Sequence, residues 1–149
     1  MEARRAQAPL RAIDSRPAER VVGTWPAVPE SVSAARRAVV DFAARHGATP
    51  AALAAVELAV SEAMTNAVQH AYPDADESGP VTIAGGASDA LLVIHVTDRG
   101  AGMRPRPDSP GLGLGLPLIS QMTQSFEVHE PSEGGTALCM RFDLTRGQL

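Results

Sequence analysis

TPAALAAVELAVSEAMTNAVQHAY, residues 49–72, is the stretch on which the reading of the fold turns. Thr49 offers a side-chain oxygen that can cap a helix start, and Pro50 follows at the first helical position, where its missing N–H costs nothing. Neither glycine nor proline interrupts the run until Pro73, so one long helix is expected from Pro50 to about Tyr72. At ~100° per residue, Leu53, Val56, Val60, Met64, Ala67, Val68 and Ala71 fall on one side, which is the expected core stripe. Glu62, Asn66 and Gln69 fall opposite, with Glu62 and Asn66 one turn apart. No Lys or Arg occurs between Gly47 and Ala75 to pair with them. The patch is either a solvated helix face or a carboxylate and an amide held together for chemistry.

Working outward, Val32, Ala35, Val39 and Phe42 recur at helical spacing between Glu30 and His46, and Gly47 is a C-terminal stop. Before them, Arg20-Val-Val-Gly-Thr-Trp25 has the composition of a short strand. Residues 1–19 mix Ala, Arg and Pro without a sustained apolar period and are expected to form a mobile tail. Downstream, Gly79 to Ala87 and Ala90 to Asp98 predict two strands joined by a tight Ser88-Asp89 turn. Gly100 to Gly115 is dense in glycine and proline, as expected of a functional loop or lid. A short helix from Leu116 to about Met122, with Pro117 in its first turn, precedes strands at Ser125 to Glu130 and Thr136 to Asp143. Helices gathered early and strands paired late predict an α+β sandwich, its sheet covered on one face. The domain is expected over 20–145, with 146–149 as a C-terminal tail.

The whole chain of 149 residues fits one such domain. Hydrophobic residues at 44% supply a core, and aromatic content of 3% leaves Ala, Leu and Val to build it. All 13 basic residues are arginine, against 17 acidic ones; the net charge of -4 argues against a broad nucleic-acid or anionic-membrane surface. A single cysteine, Cys139, excludes an internal disulfide framework and a multi-cysteine zinc site. His46, His95 and His129 have no metal-ligand spacing. With no run of the ~18 apolar residues a membrane span needs, a cytoplasmic protein is expected.

Two further segments carry chemistry. In the strand ending at Asp98, alternation puts Leu92, Ile94, Val96 and Asp98 on one face. A carboxylate closing a core-facing row needs a donor, because burying it unpaired is expensive. The donor is either a loop N–H or a ligand amine, and Gly100 and Gly102 would let backbone approach a flat ligand closely. Gly111-Leu-Gly-Leu-Gly115 then runs into a helix start, an arrangement that is either a hinge or a phosphate cradle. It lacks the lysine of a P-loop and does not open a βαβ unit. His70 either faces the same place or is a hydrogen-bonded structural histidine. Cys139 is read as packed or partly exposed, with no neighbouring base visible in the sequence.

In order along the chain, Ser61-Glu-Ala-Met-Thr-Asn-Ala-Val-Gln-His-Ala-Tyr72, Asp98-Arg-Gly-Ala-Gly102 and Gly111-Leu-Gly-Leu-Gly-Leu-Pro117 resemble the three boxes of the GHKL ATPase superfamily. The resemblance is strongest to the anti-sigma-factor serine/threonine kinases of the RsbW/SpoIIAB type and extends over roughly Val21 to Asp143. It implies a two-layer Bergerat sandwich with a mixed, mostly antiparallel sheet covered on one face by helices. It also implies ATP and Mg²⁺ as cofactors, an antagonist protein and a sigma factor as partners, and a possible homodimer through the first strand and helix. By resemblance Asn66 is the Mg²⁺ ligand and Glu62 the general base toward a substrate hydroxyl. Asp98 accepts the adenine amine, and Gly100 and Gly102 shape its pocket. Gly111, Gly113 and Gly115 surround the phosphates, and Thr136 supports the adenine site.

The sequence departs from the pattern in the lid, where Pro107-Asp108-Ser109-Pro110 stands near the place such kinases usually carry a basic residue. Arg104 and Arg106 are the nearest cations. Two rival readings follow: a catalytically silent nucleotide-dependent regulator, and the ATP-binding half of a histidine kinase. The second lacks a preceding helix pair bearing a phosphoacceptor histidine.

Overall fold

The computed structural model describes residues 17–72, 78–101 and 112–146. Eight elements follow one another: β1 (Arg20–Pro26), α1 (Pro29–Arg45), α2 (Pro50–His70), β2 (Pro80–Ser88), β3 (Leu91–Asp98), α3 (Leu112–Met122), β4 (Ser125–His129) and β5 (Thr136–Asp143). The described strands form one sheet in the order β1-β2-β3-β5-β4, and all four pairings are antiparallel, so the sheet is antiparallel throughout where a mixed, mostly antiparallel one was expected. The helices pack on one face, which makes the two-layer α+β sandwich expected from the sequence.

Local chemistry explains the boundaries. Thr49 caps α2 through its hydroxyl oxygen, which accepts the Ala52 N–H at 3.2 Å, and its own N–H is tied to the Leu144 carbonyl. Gly47 ends α1 at φ +87°, the left-handed conformation a helix stop requires. The β2–β3 hairpin pairs Ser88 with Leu91, so its turn is Asp89-Ala90, one residue later than expected, and Asp89 takes a positive φ of 54°.

α3 starts at Leu112, four residues before the start expected at Leu116, and so contains Gly113 and Gly115. Pro117 therefore lies inside the helix rather than in its first turn, and its missing N–H leaves the Gly113 carbonyl without a partner at the usual spacing.

The core is aliphatic. Met64, Val56, Val60, Ile83, Leu92, Ile94, Ile119 and Met140 are sealed from solvent, with Phe142 and Phe42 the aromatic contributions. α2 lies centrally, between α1 on one side and α3 on the other, above β3 and β5. Its buried arc is therefore wide and includes Ala52, Ala55, Ala59 and Ala63, while Leu53 and Val68 are only partly buried. Among the described residues α2 alone is long and apolar enough to match a membrane span, against the expectation of no such run, yet half of its apolar stretch is buried in this core.

Among the described residues the other face of the sheet carries no helix. There Pro17 is buried, the Ala18 carbonyl stands over Gly86, and Glu19 reaches His95, Oε1 to Nε2 at 2.8 Å. Cys139 is buried on the same face with Sγ 3.6 Å from His95 Nε2, so the base absent from its sequence neighbourhood comes from β3.

Candidate functional site

A slot opens where the C-terminal half of α2 meets the ends of β3 and β5. Ala63, Asn66, Ala67, His70 and Ala71 line it from the helix, and Val96, Asp98, Thr136 and Leu138 from the sheet. The helical set follows the i, i+3, i+4, i+7, i+8 spacing of a single stripe. Asn66 is thus on the sheet-facing side of α2 and buried, not opposite the core as the sequence reading held. The alanine stripe explains the difference. Its small side chains bring α2 close to the sheet and pull Asn66 in with them.

The slot holds about 380 Å³ of empty space when its open mouth is counted. It is a narrow cleft lined mainly by alanine, valine and leucine side chains, with the polar groups of Asn66, His70, Asp98 and Thr136 among them.

Asp98 is the charged group on this lining. Its Oδ1 accepts the Gly100 N–H at 2.9 Å, and the Thr136 backbone N–H also reaches the carboxylate. Burial pushes the carboxyl above its ordinary range, and the two N–H donors pull it back only in part. A loop N–H is therefore one answer to the question of its donor, and the carboxylate keeps acceptor capacity for another. His70 Nε2 is buried against the same slot with no hydrogen-bond partner.

The floor is stitched to the end of α2. Ala101 N–H donates to the Ala71 carbonyl at 2.7 Å; the Tyr72 hydroxyl donates to Pro80 O at 2.7 Å and accepts from Arg99 N at 3.0 Å. A Cβ on Gly100 would collide with the Ala71 carbonyl. Gly100 is therefore required by the close approach of α2 itself, a constraint the sequence reading did not include. Gly135, at φ +88°, has the corresponding role on the other side, where a Cβ would collide with the Asp98 carbonyl.

Of the residues singled out in the sequence, Asn66, Asp98 and Thr136 come together on the slot. Glu62 is half-buried one turn before Asn66, outside the lining, and among the described residues no cation lies within ion-pair distance of it. Gly113 and Gly115 are in the first turns of α3, and Gly102 and Gly111 lie outside the described residues. His70, Tyr72, Ala71 and Gly135 were not singled out as site residues. The signal for His70 was its spacing of one turn from Asn66.

The profile of the histidine kinase-like ATPase domain matches residues 25–142. The chain belongs to this family. ATP is the nucleotide that the family uses. The anti-sigma F factor of Clostridium acetobutylicum is 33% identical to the domain over 123 residues, 75% of this chain and 85% of that one. Serine-protein kinase RsbW of Bacillus subtilis is 37% identical over 113 residues, 76% of this chain and 66% of that one. The RsbW kinase of Halalkalibacterium halodurans is 32% identical over 146 residues, 88% and 87% of the two chains. A solved structure of RsbU and RsbW domains from Mycobacterium tuberculosis superposes with a TM-score of 0.62 at 24% identity. It covers 89% of this chain and 33% of its own, and it shows the shared fold.

Proposed function

We propose that this chain is an ATP-dependent anti-sigma serine/threonine kinase that phosphorylates a small antagonist protein and, alternately, sequesters a sigma factor. The reading rests above all on Asp98, a buried carboxylate with acceptor capacity left over at the end of a narrow, mostly apolar slot, which suits an exocyclic amine on a planar base. The names of relatives at 30–37% identity, anti-sigma F factor and serine-protein kinase RsbW, supply the partner classes.

The residues fit the nucleotide. Asp98 accepts the base amine, with Thr136 beside it and Gly100 fixing the loop. The free N–H groups in the first turn of α3, that of Gly113 among them, suit phosphate oxygens, and Gly102, Gly111 and Gly115 are assigned to the same surroundings by resemblance. Among the described residues no group of three His, Cys, Asp or Glu could hold a metal by itself. The amide oxygen of Asn66 would be one ligand of a Mg²⁺ that arrives on the phosphates, in keeping with the few protein ligands that ion takes. When bound, the ion neutralises charge on the transferring phosphoryl group.

Glu62, one turn from Asn66 and unpaired with any described cation, takes the proton from the substrate hydroxyl as its oxygen bonds to the γ-phosphorus and ADP leaves. β1 is an edge strand, and Val21 on it is 64% exposed, which supports pairing with a second copy. The acidic balance speaks for protein partners rather than nucleic acid, and a sigma factor as partner implies a cytoplasmic setting.

The experiment is transfer of radiolabelled γ-phosphate from ATP to the antagonist protein by the parent and by Glu62→Ala. Transfer by the parent and its fall by at least a hundredfold in the variant, with ATP affinity kept within threefold, is expected. No transfer by a parent that binds ATP would leave a silent regulator. Undiminished transfer by the variant would remove Glu62 as the base.

A further inference from the structure

Two residues beyond the end of α2, Tyr72 turns its side chain back across the end of the sheet. Its ring lies over Gly79, where a Cβ would collide with it, and its hydroxyl stands between Pro80, the first residue of β2, and Arg99, the first residue beyond β3. One step past the Val81–Asp98 pair of the antiparallel ladder, Pro80 and Arg99 face one another. Pro80 has no N–H to give, so the one backbone bond open to this step runs from the Arg99 N–H to the Pro80 carbonyl. The Tyr72 hydroxyl is inserted into that bond, accepting from Arg99 N at 3.0 Å and donating to Pro80 O at 2.7 Å. Burial raises the phenol above its ordinary value and the Arg99 N–H offsets this only in part, so the hydroxyl keeps the proton it donates.

The inserted hydroxyl governs how the chain leaves β3. Three successive N–H groups are committed there: Arg99 to the Tyr72 hydroxyl, Gly100 to Asp98 Oδ1 at 2.9 Å, and Ala101 to the Ala71 carbonyl at 2.7 Å. The outer two are held by adjacent residues at the end of α2, and the middle one holds the carboxylate. Without the hydroxyl, the Arg99 N–H either loses its partner or bonds Pro80 directly and draws the turn toward β2. In both cases the Gly100 N–H shifts relative to Asp98. Packing over Gly79 needs only the ring, which phenylalanine also has; the hydroxyl serves the turn.

We infer that Tyr72 is a positioning residue: through the turn at Arg99 and Gly100, its hydroxyl fixes the direction in which the Asp98 carboxylate meets the bound nucleotide. This rests on the slot being the nucleotide site. Tyr72 itself touches no ligand and acts through Asp98 alone.

The test compares the parent, Tyr72→Phe, Asp98→Asn and the double variant by calorimetric titration with ATP, and the first two by NMR without nucleotide. Phe keeps the ring over Gly79 and removes only the hydroxyl. ATP affinity should fall roughly three- to tenfold in Tyr72→Phe, the worth of one neutral hydrogen bond in the support. In the Asp98→Asn background the same change should cost less than about twofold, because the carboxylate it positions is already gone. The Asp98 carboxyl of Tyr72→Phe should titrate at higher pH than that of the parent, since the Gly100 N–H that lowers it is displaced. The Gly100 amide signal, which should follow that titration in the parent, should follow it less in the variant. If Tyr72→Phe melts lower but keeps the parent's ATP affinity and Asp98 titration, Tyr72 is structural and the inference falls. An affinity loss repeated in full in the Asp98→Asn background also overturns it, because the effect then bypasses Asp98. If the parent binds no ATP, the nucleotide reading of the slot fails and takes the inference with it. A parent that binds ATP, beside a Tyr72→Phe protein whose Asp98 titration and Gly100 signal do not move, refutes the inference alone.

Discussion

Asp98→Asn separates the two roles of the buried carboxylate. The substitution preserves shape and leaves one carbonyl oxygen for the Gly100 N–H, now bound at 2.9 Å, but removes the charge. A hydrogen bond from a ligand amine to a charged acceptor is worth about 1.5–3 kcal/mol, and a neutral amide oxygen retains part of that. A net loss of about 1–2 kcal/mol lowers ATP affinity roughly five- to thirty-fold, which titration calorimetry resolves. Stability moves the other way with pH. The native carboxyl is raised above its ordinary value of 3.8 by burial, so between the two values the native state holds more protons than the unfolded chain. Stability of the parent therefore falls as pH rises through that window, and the penalty is complete above it. Asparagine does not titrate, so urea denaturation of the two proteins at a series of pH values should show the difference shifting toward the variant as pH rises. ATP affinity of the parent, relative to the variant, should rise across the same window, since an amine prefers the ionised acceptor. Affinity within twofold of the parent, or a stability difference independent of pH, would refute the role given to Asp98.

Gly135→Ala should destabilise the fold by about 2 kcal/mol or more, because the residue sits at φ +88° and a Cβ would strike the Asp98 carbonyl. A melting temperature within 1 °C of the parent, against about 2–4 °C lost per kcal/mol at this size, would overturn that account. Met64→Ala removes a side chain with no solvent exposure from the centre of α2 and should cost about 2–5 kcal/mol in chemical denaturation. A cost under about 1 kcal/mol would mean that the helices close the gap. ATP at a hundred times its dissociation constant should add about 2.7 kcal/mol to unfolding stability, read as a melting shift that Asp98→Asn reduces at the same concentration. No shift in the parent would contradict nucleotide binding to the native state.

Nearly every element was legible in the sequence because the signals were local. The Thr49-Pro50 cap, the Gly47 stop and the alternation through Leu92, Ile94, Val96 and Asp98 each act within a few residues, and their elements appear as expected. α3 was misjudged because glycines and a proline weigh against a helix locally, whereas Leu112–Met122 packs against α2, and tertiary contact outweighs propensity. The face of Asn66 was misjudged for a related reason. Large apolar residues defined the stripe, but α2 is enclosed on several sides and buries its alanines as well. Gly100 was matched to a ligand because the Ala71 carbonyl it accommodates lies far away in sequence. That His70 Nε2 has no partner is invisible without the structure, since it is a property of the surroundings and not of the residue.

The site stands out against its own fold. Five polar residues are buried among the described residues, and three of them, Asn66, Asp98 and Thr136, line a single slot. Thr123, buried elsewhere, satisfies its hydroxyl on the Ile119 carbonyl one turn back in α3. In the slot, by contrast, a carboxylate is held above its ordinary range and an imidazole nitrogen is left without a partner. Packing alone favours neither arrangement, and an apolar lining of the same shape would be more stable. Both costs fall in the same lining, on groups of opposite hydrogen-bonding character, an acceptor and a possible donor. A ligand that offers a donor and an acceptor on one flat edge would offset both together, and this coincidence of two costs is the ground on which the slot is proposed as a ligand site rather than a packing defect between α2 and the sheet.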